Sequence, residues 1–363
     1  MPRSKTSSST KASSSPSPSS YGSSSCTITS ASDLATAKAT CTDISIGTLT
    51  VPAGQTLDLT GLLEGTKVTF TGTVTFGYKE WKGPLVSVDG TNIQVIGAPG
   101  SVLDGDGKRW WDGLGGNGGK AKPKFFSVHS LQSSTITGIT LKNTPVQAFS
   151  INTAESLVLS GITIDNKDGD AGDLGHNTDA FDVGASNDIV ITGATVYNQD
   201  DCLAVNSGTN IKFLNGFCSG GHGISIGSVG GRSNNDVDTV TVQNSTIVDS
   251  MNGVRIKTIS GATGSVKGVT YSGITLKNIS KYGIVIQQDY LNGKPTGTPT
   301  NGVPITDLTI ENVCGDVAYS AIGIYILCAK GACSDWNWTG VNISGGDPPL
   351  KCSNIPSELA LSC

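Results

Sequence analysis

From about Cys26 onward the chain alternates apolar and polar residues in short runs, each closed by Gly or Asn. Such alternation predicts strands with one face inward. One unit recurs: Ile136-Thr137-Gly138-Ile139-Thr140-Leu141, then Leu159-Ser160-Gly161-Ile162-Thr163-Ile164. Further copies begin at Ile191 and Tyr271, with degenerate ones around Phe213, Val242 and Ile310. Spacings of about 22 to about 39 residues, with several strands in each, describe a solenoid whose coils bury a shared core. The Gly and Asn residues fit turns that require positive φ. A leucine-rich repeat would need an L-x-x-L-x-L frame that is missing, and a β-sandwich would not repeat in register. The one helix-like stretch, Ser30–Thr40, has Ser and Asp as candidate N-caps. A solenoid exposes its first coil, and this helix is the expected cap. The expected fold is all-β: a right-handed parallel β-helix with a short N-terminal capping helix, one domain over residues 26–363.

Composition narrows the compartment and the partners. Residues 1–25 are Ser-rich with scattered Lys and Pro and lack an apolar stretch of signal-peptide type. They predict a disordered leader or pro-segment. With a net charge of −5, the chain offers no broad basic surface for nucleic acid. No apolar run approaches the ~20 residues of a membrane span. The nine Cys show no CxxC spacing of a zinc or redox site, so disulfides in an exported protein fit better. Sequons at Asn244, Asn278, Asn337 and Asn342 agree with a secreted, extracellular location.

The polar residues that break the repeat are not scattered. Phe181-Asp182-Val183 aligns with Leu203-Ala204-Val205, Ile224-Ser225-Ile226 and Val254-Arg255-Ile256. Asp179, Asp201 and His222 then take the same place on three successive coils, neighbours being roughly 4.8 Å apart if the strands stack in parallel. Asp200 adds a third carboxylate. An isolated Asp in such a chain is ordinarily a turn residue. Grouped Asp residues are different, because like charges raise at least one carboxyl pKa and keep an acid protonated beside a charged base. Gly221 and Gly223 flank His222 and suit a close ligand approach. His129 is expected to be structural, and His176 has no setting beyond Asn177. Arg255 and Lys257 alternate with Val254 and Ile256 and so point away from the core. Together they suit a carboxylate-bearing substrate.

Asn177-Thr178-Asp179, Asp200-Asp201, Gly221-His222-Gly223 and Arg255-Ile256-Lys257 resemble the four signature motifs of the polygalacturonases, family 28 of the glycoside hydrolases. The segments Arg109–Gly113, Lys122–Phe126, Gly220–Ser228 and 288–293 extend the resemblance over residues 26–363. One departure is Ala180, where Gly is usual. The resemblance implies an endo-acting hydrolysis of α-1,4-galacturonan with inversion. Asp200 would be the general acid, Asp179 and Asp201 would hold and deprotonate water, and His222 would tune the acid. Arg255, Lys257, Tyr290, Asn177 and Gly223 would bind polygalacturonate (homogalacturonan). No metal and no other cofactor is implied. A monomer is expected, with plant polygalacturonase-inhibiting proteins as candidate partners. Inversion rests on the resemblance, since a bare ~4.8 Å ladder spacing is nearer the roughly 5–5.5 Å of retaining glycosidases than the longer gap of inverting ones. Short separations together with the family pattern suggest disulfides Cys26–Cys41, Cys202–Cys218, Cys328–Cys333 and Cys352–Cys363, leaving Cys314 free and buried. Pectate lyase, with a Ca²⁺ site, and a non-catalytic carbohydrate-binding solenoid are the competing readings.

Overall fold

A computed structural model describes residues 1–2, 25–292 and 294–359. The expectation for residues 1–25 thus falls almost wholly outside the described residues. Among the described residues every strand pairing is parallel, each strand bonding its counterpart one coil away. The result is a parallel β-helix. The wall that matters for function runs Phe149–Asn152, Phe181–Gly184, Leu203–Val205, Ile224–Val229, Asn252–Ile259, Tyr282–Tyr290, Ile322–Leu327 and Leu350–Ser353.

The inward positions stack into columns. Phe126, Phe149 and Phe181 lie one above another, with centroids 5.2 and 5.5 Å apart, and Leu203, Ile224 and Val254 continue the file. All six are fully buried. Each ring pair adds roughly 0.5–1.5 kcal/mol beyond the area it buries. Opposite them run Ile136, Leu159, Ile191, Phe213, Val242, Tyr271 and Ile310, so the degenerate copies read from the sequence stand in register. Tyr271 is the polar member of this file. Its hydroxyl crosses the interior and donates to the carbonyls of Ile224 (3.2 Å) and Arg255 (3.1 Å), on the functional wall.

Two residues after each column position the chain turns. Gly138, Gly161, Gly193, Asn215, Asn244, Gly273, Asn312 and Gly340 occupy this corner with φ between 50° and 66°. Asn and Gly tolerate that conformation best. Two other repeat-ending asparagines behave differently: Asn166 and Asn198 are buried hydrogen-bonding hubs rather than left-handed turn residues.

The N-terminal cap is shorter than the sequence suggests. A 3₁₀ turn, Ala31–Asp33, precedes the helix Leu34–Thr40, and Ser30 caps the turn through Ser32 N–H. Bridges join Cys26–Cys41, Cys202–Cys218 and Cys328–Cys333. The suggested Cys352–Cys363 bridge lies outside the described residues, because Cys363 does. Cys314 is free but exposed, not buried as expected. The corner at Asn312 puts Val313 inward and Cys314 outward, in the file of Thr246 and Thr275.

Candidate active site

Three of the motifs precede the wall strands, at the corners where successive coils enter it, and the fourth, Arg255-Ile256-Lys257, lies within the strand Asn252–Ile259. The backbone ladder holds them in step: Ala180 N–H donates to Asp201 O, His222 N–H to Asp200 O, and Cys202 N–H to Gly223 O, at 2.8–2.9 Å. Asn198 then locks two coils together. Its buried amide donates to the carbonyls of Thr178 (3.0 Å), Asp200 (3.0 Å) and Asp201 (3.1 Å). Gln199 adds a second tie, accepting from the Thr178 hydroxyl and donating to Asn166 O. The glycines around His222 make the close stacking possible. A β-carbon on Gly221 would collide with Asp200 O, and one on Gly223, at φ +94°, with the carbonyls of Asn252 and Gly253. The approach they permit is that of the neighbouring coil's backbone, where the sequence suggested a ligand.

Asn177, Asp179, Asp200, Asp201, His222, Arg255, Lys257 and Tyr290 line one cavity of about 380 Å³. Asp200 is the most heavily bonded of the acids. It accepts from Asp201 N–H (2.7 Å) and pairs with His222 Nδ1 (2.9 Å) through Oδ1, and accepts from Asn177 Nδ2 (2.9 Å) through Oδ2. Asn177 is fixed in turn by Gly116 N–H and the Asn117 amide, so the Gly115–Asn117 turn orients Asp200 from outside. Burial alone would raise the Asp200 carboxyl. The His222 hydrogen bond and charge, with Lys257 and the Asp201 amide, outweigh it and hold the group well below the usual carboxylate range.

Asp201 lies deeper and is 2% exposed. It meets Lys257 Nζ at 2.6 Å through Oδ2, and Ser225 Oγ at 2.7 Å and Arg255 Nη1 at 3.6 Å through Oδ1. The cations expected to await a ligand are thus already turned toward a protein carboxylate. Tyr290 covers both, its ring centre 5.8 Å from the Arg255 guanidinium carbon and 5.4 Å from Lys257 Nζ.

Asp179 has the opposite surroundings from Asp200. Its Oδ1 is shut from solvent without a hydrogen-bond partner. Burial, and then the neighbouring Asp200, Asp182 and Asp201, push its carboxyl well above the usual range, against Lys257. Two acids side by side are therefore pushed in opposite directions, an arrangement that suits acid–base work.

Asp182 belongs to the same group and was not singled out from the sequence. Burial raises it to about 7, opposed by Lys124, reinforced by Asp201 and Asp200, and opposed again by Arg232. The signal was available: Asp182, Ala204, Ser225 and Arg255 are the middle residues of the four aligned triplets and stand in one column, with Asp182, Ala204 and Arg255 lining the main cavity and Ser225 buried against Asp201. Asp182 also opens a second cavity of about 340 Å³, with Lys124, Asn206 and Arg232 on its lining. His129 lies outside these cavities, against the Ser150 hydroxyl at 3.1 Å. His176, by contrast, lines the main one.

Ligand atoms of Asp200, Asp201 and His222 come within 4.8 Å of one another, a grouping that could hold a cation. Their donors are engaged, however, and a cation on Asp201 would have to displace the Lys257 ammonium.

Carboxylates shifted in opposite directions, an imidazole and paired cations around one cavity on a parallel β-helix suit a glycoside hydrolase. The chain belongs to the glycosyl hydrolases family 28, whose pattern matches residues 41–363. It is 64% identical over 328 residues to "Polygalacturonase 2" of Penicillium olsonii, covering 90% of this chain and 86% of that one. It is 60% identical to "Probable endopolygalacturonase A" of Aspergillus parasiticus, covering 92% and 91%. Among solved structures, endopolygalacturonase I from Stereum purpureum, complexed with two galacturonate, superposes with a TM-score of 0.81 at 38% identity, covering 91% of this chain and 96% of that one.

Proposed function

We propose that this protein hydrolyses α-1,4-galacturonosyl bonds within polygalacturonate, in endo fashion and with inversion at the anomeric carbon. The observation that carries the proposal is the Asp200–His222 pair beside Asp179 and Asp201, with Arg255 and Lys257 at the same cavity. The naming of the relatives supports the substrate.

Asp200 delivers the proton to the leaving oxygen. A charged Asp200 against a protonated His222 and a protonated Asp200 against a neutral His222 differ only in where one proton sits along a 2.9 Å bond. As the glycosidic oxygen gains charge, that proton passes through Asp200 to it. Asp179 and Asp201 hold the water on the same wall, and one of them takes its proton as the new C–O bond forms. Arg255, in the looser contact with Asp201, has guanidinium donors left for the substrate carboxylate, while Lys257 braces Asp201.

Endo action is supported by a wall that continues past the site in both directions. The reading also places the protein outside the cell as a disulfide-stabilised monomer, with polygalacturonase-inhibiting proteins of plants as candidate partners. All four sequon asparagines are exposed, as glycosylation requires. The test is polygalacturonate digestion followed by viscosity, reducing ends and proton NMR of the first product. Rapid viscosity loss with the β-anomer appearing first is expected; an unsaturated uronide, or slow viscosity loss with monomer release, would overturn the reading.

A further inference from the structure

The strand Tyr282–Tyr290 carries one residue too many for its neighbour Asn252–Ile259. Lys257 pairs with Gln287 and Ile259 with Tyr290, so Gln288 and Asp289 together stand opposite the single Thr258. This is a β-bulge, a device that re-aims side chains beside active sites. Its effect shows in the cleft. Strict alternation would put Gln287 and Asp289 on one face and turn Tyr290 to the other. Instead Gln287 and Tyr290, three residues apart, both line the recess that holds Arg255, and Asp289 lines neither that recess nor the main cavity. Without the extra residue a carboxylate would stand beside Arg255 and Lys257, where the Tyr290 ring now covers them.

The bulge is held by its own two side chains. Gln288 is fully buried, donating through Nε2 to Val303 O at 2.7 Å and accepting at Oε1 from Ala329 N–H at 2.8 Å. Its carbonyl accepts from Thr300 N–H at 3.0 Å. Asp289 is equally buried. Its Oδ2 accepts from Gly297 N–H at 2.8 Å and its carbonyl from Thr296 N–H at 2.9 Å, so the chain beyond Tyr290 folds back onto it. The other carboxyl oxygen, Oδ1, is shut away without a hydrogen-bond partner among the described residues. A buried acid oxygen left bare destabilises a fold. Such a group calls for a role other than packing.

We propose that Asp289, together with Gln288, is a positioning residue: it locks the bulge that aims Tyr290 at Arg255 and Lys257, and it keeps its own carboxylate out of the place of the substrate's. The assignment rests on the galacturonan reading above. Asp289 acts through the Tyr290 ring and touches neither the substrate nor the reacting atoms.

The test is a double-mutant cycle of Asp289→Ala and Tyr290→Ala on polygalacturonate. Tyr290→Ala should lower kcat/KM about tenfold, the scale of a lost cation–π cover, chiefly through KM. Asp289→Ala should reproduce that loss, and the double variant should be no worse than Tyr290→Ala alone. Asp289→Asn, which keeps an acceptor for Gly297 N–H, should recover most of it. Additive losses, or a lowered melting temperature with kcat/KM unmoved in Asp289→Ala, would overturn the proposal. If Asp289→Ala fails to fold, Gln288→Met, which keeps the length of the side chain and removes both of its bonds, goes through the same cycle. A crystal structure of the variant reads the aim of the ring without any turnover: the ring should leave Arg255 and Lys257, and a ring still in place would refute the assignment. Wild-type protein that leaves polygalacturonate intact would sink the catalytic reading alone.

Discussion

Asp200 and Asp179 sit within one cavity and yet are pushed in opposite directions, because one is given three hydrogen-bonding partners and the other leaves an oxygen shut away without one. Identity of side chain decides little here; partners decide. Asp200→Asn keeps the shape and removes the proton-carrying group, so turnover should fall by at least about 10²–10⁴-fold, the range of general-acid contributions. Asp179→Asn and Asp201→Asn should be nearly as severe. Initial rates on polygalacturonate, with circular dichroism to confirm folding, check all three, and near-normal turnover in any folded variant would refute its role. The two cations should separate. Arg255→Gln should act mainly on KM. Lys257→Gln should also lower kcat, because it frees the Asp201 oxygen held at 2.6 Å. Equal effects on both constants in both variants would contradict the division. Of these residues the column Asp179, Asp201, His222 was legible from the period alone. Asp182 was equally legible and went unweighed, because the triplet around it served for alignment rather than for chemistry.

Elements show what alternation can and cannot tell. The corner positions were readable wherever Gly or Asn recurred, and the core files followed from them. Asn166 and Asn198 looked like more of the same, but a buried amide with several carbonyls in reach is worth more as a hub than as a turn. Nothing in a single sequence separates those two uses of Asn. Cys314 was misjudged for a different reason: a free thiol suggested a core position, whereas its counterparts in the other coils, Thr140, Thr163, Thr195, Phe217, Thr246 and Thr275, face outward. Cys314 should therefore be alkylated in the native protein, ahead of any bridged cysteine. Mass mapping after a brief iodoacetamide pulse checks this, and protection until unfolding would contradict the exposed placement.

At the scale of the whole molecule, the site sets a pH dependence of stability. Asp179 and Asp182 are raised in the folded state, so the stability they confer is present below about pH 4, where both states are protonated, and is lost as pH rises. For Asp182 the loss runs from about pH 4 to about pH 7, at up to about 1.4 kcal/mol per unit. Asp200 works the other way: its depressed value stabilises the fold above about pH 4, and that support fades as the solution becomes more acid. Melting temperature should therefore peak in mildly acid solution and decline toward neutrality. Asp182→Asn should flatten the decline, as calorimetry from about pH 4 to pH 8 would show; an unchanged slope would mean that Asp182 titrates near its ordinary value.

Tyr271 gives the interior a second meaning. Its hydroxyl reaches from one side of the coil to the carbonyls of Ile224 and Arg255, on the strands where Ser225 holds Asp201 and Arg255 lines the cavity. A solenoid whose opposite sides met only through hydrocarbon could slide or breathe at little cost. Here a buried tie-rod sets the span of the tube at the rungs where chemistry is done. The core at those rungs is consequently part of the instrument, and its evolution is answerable to catalysis as well as to packing.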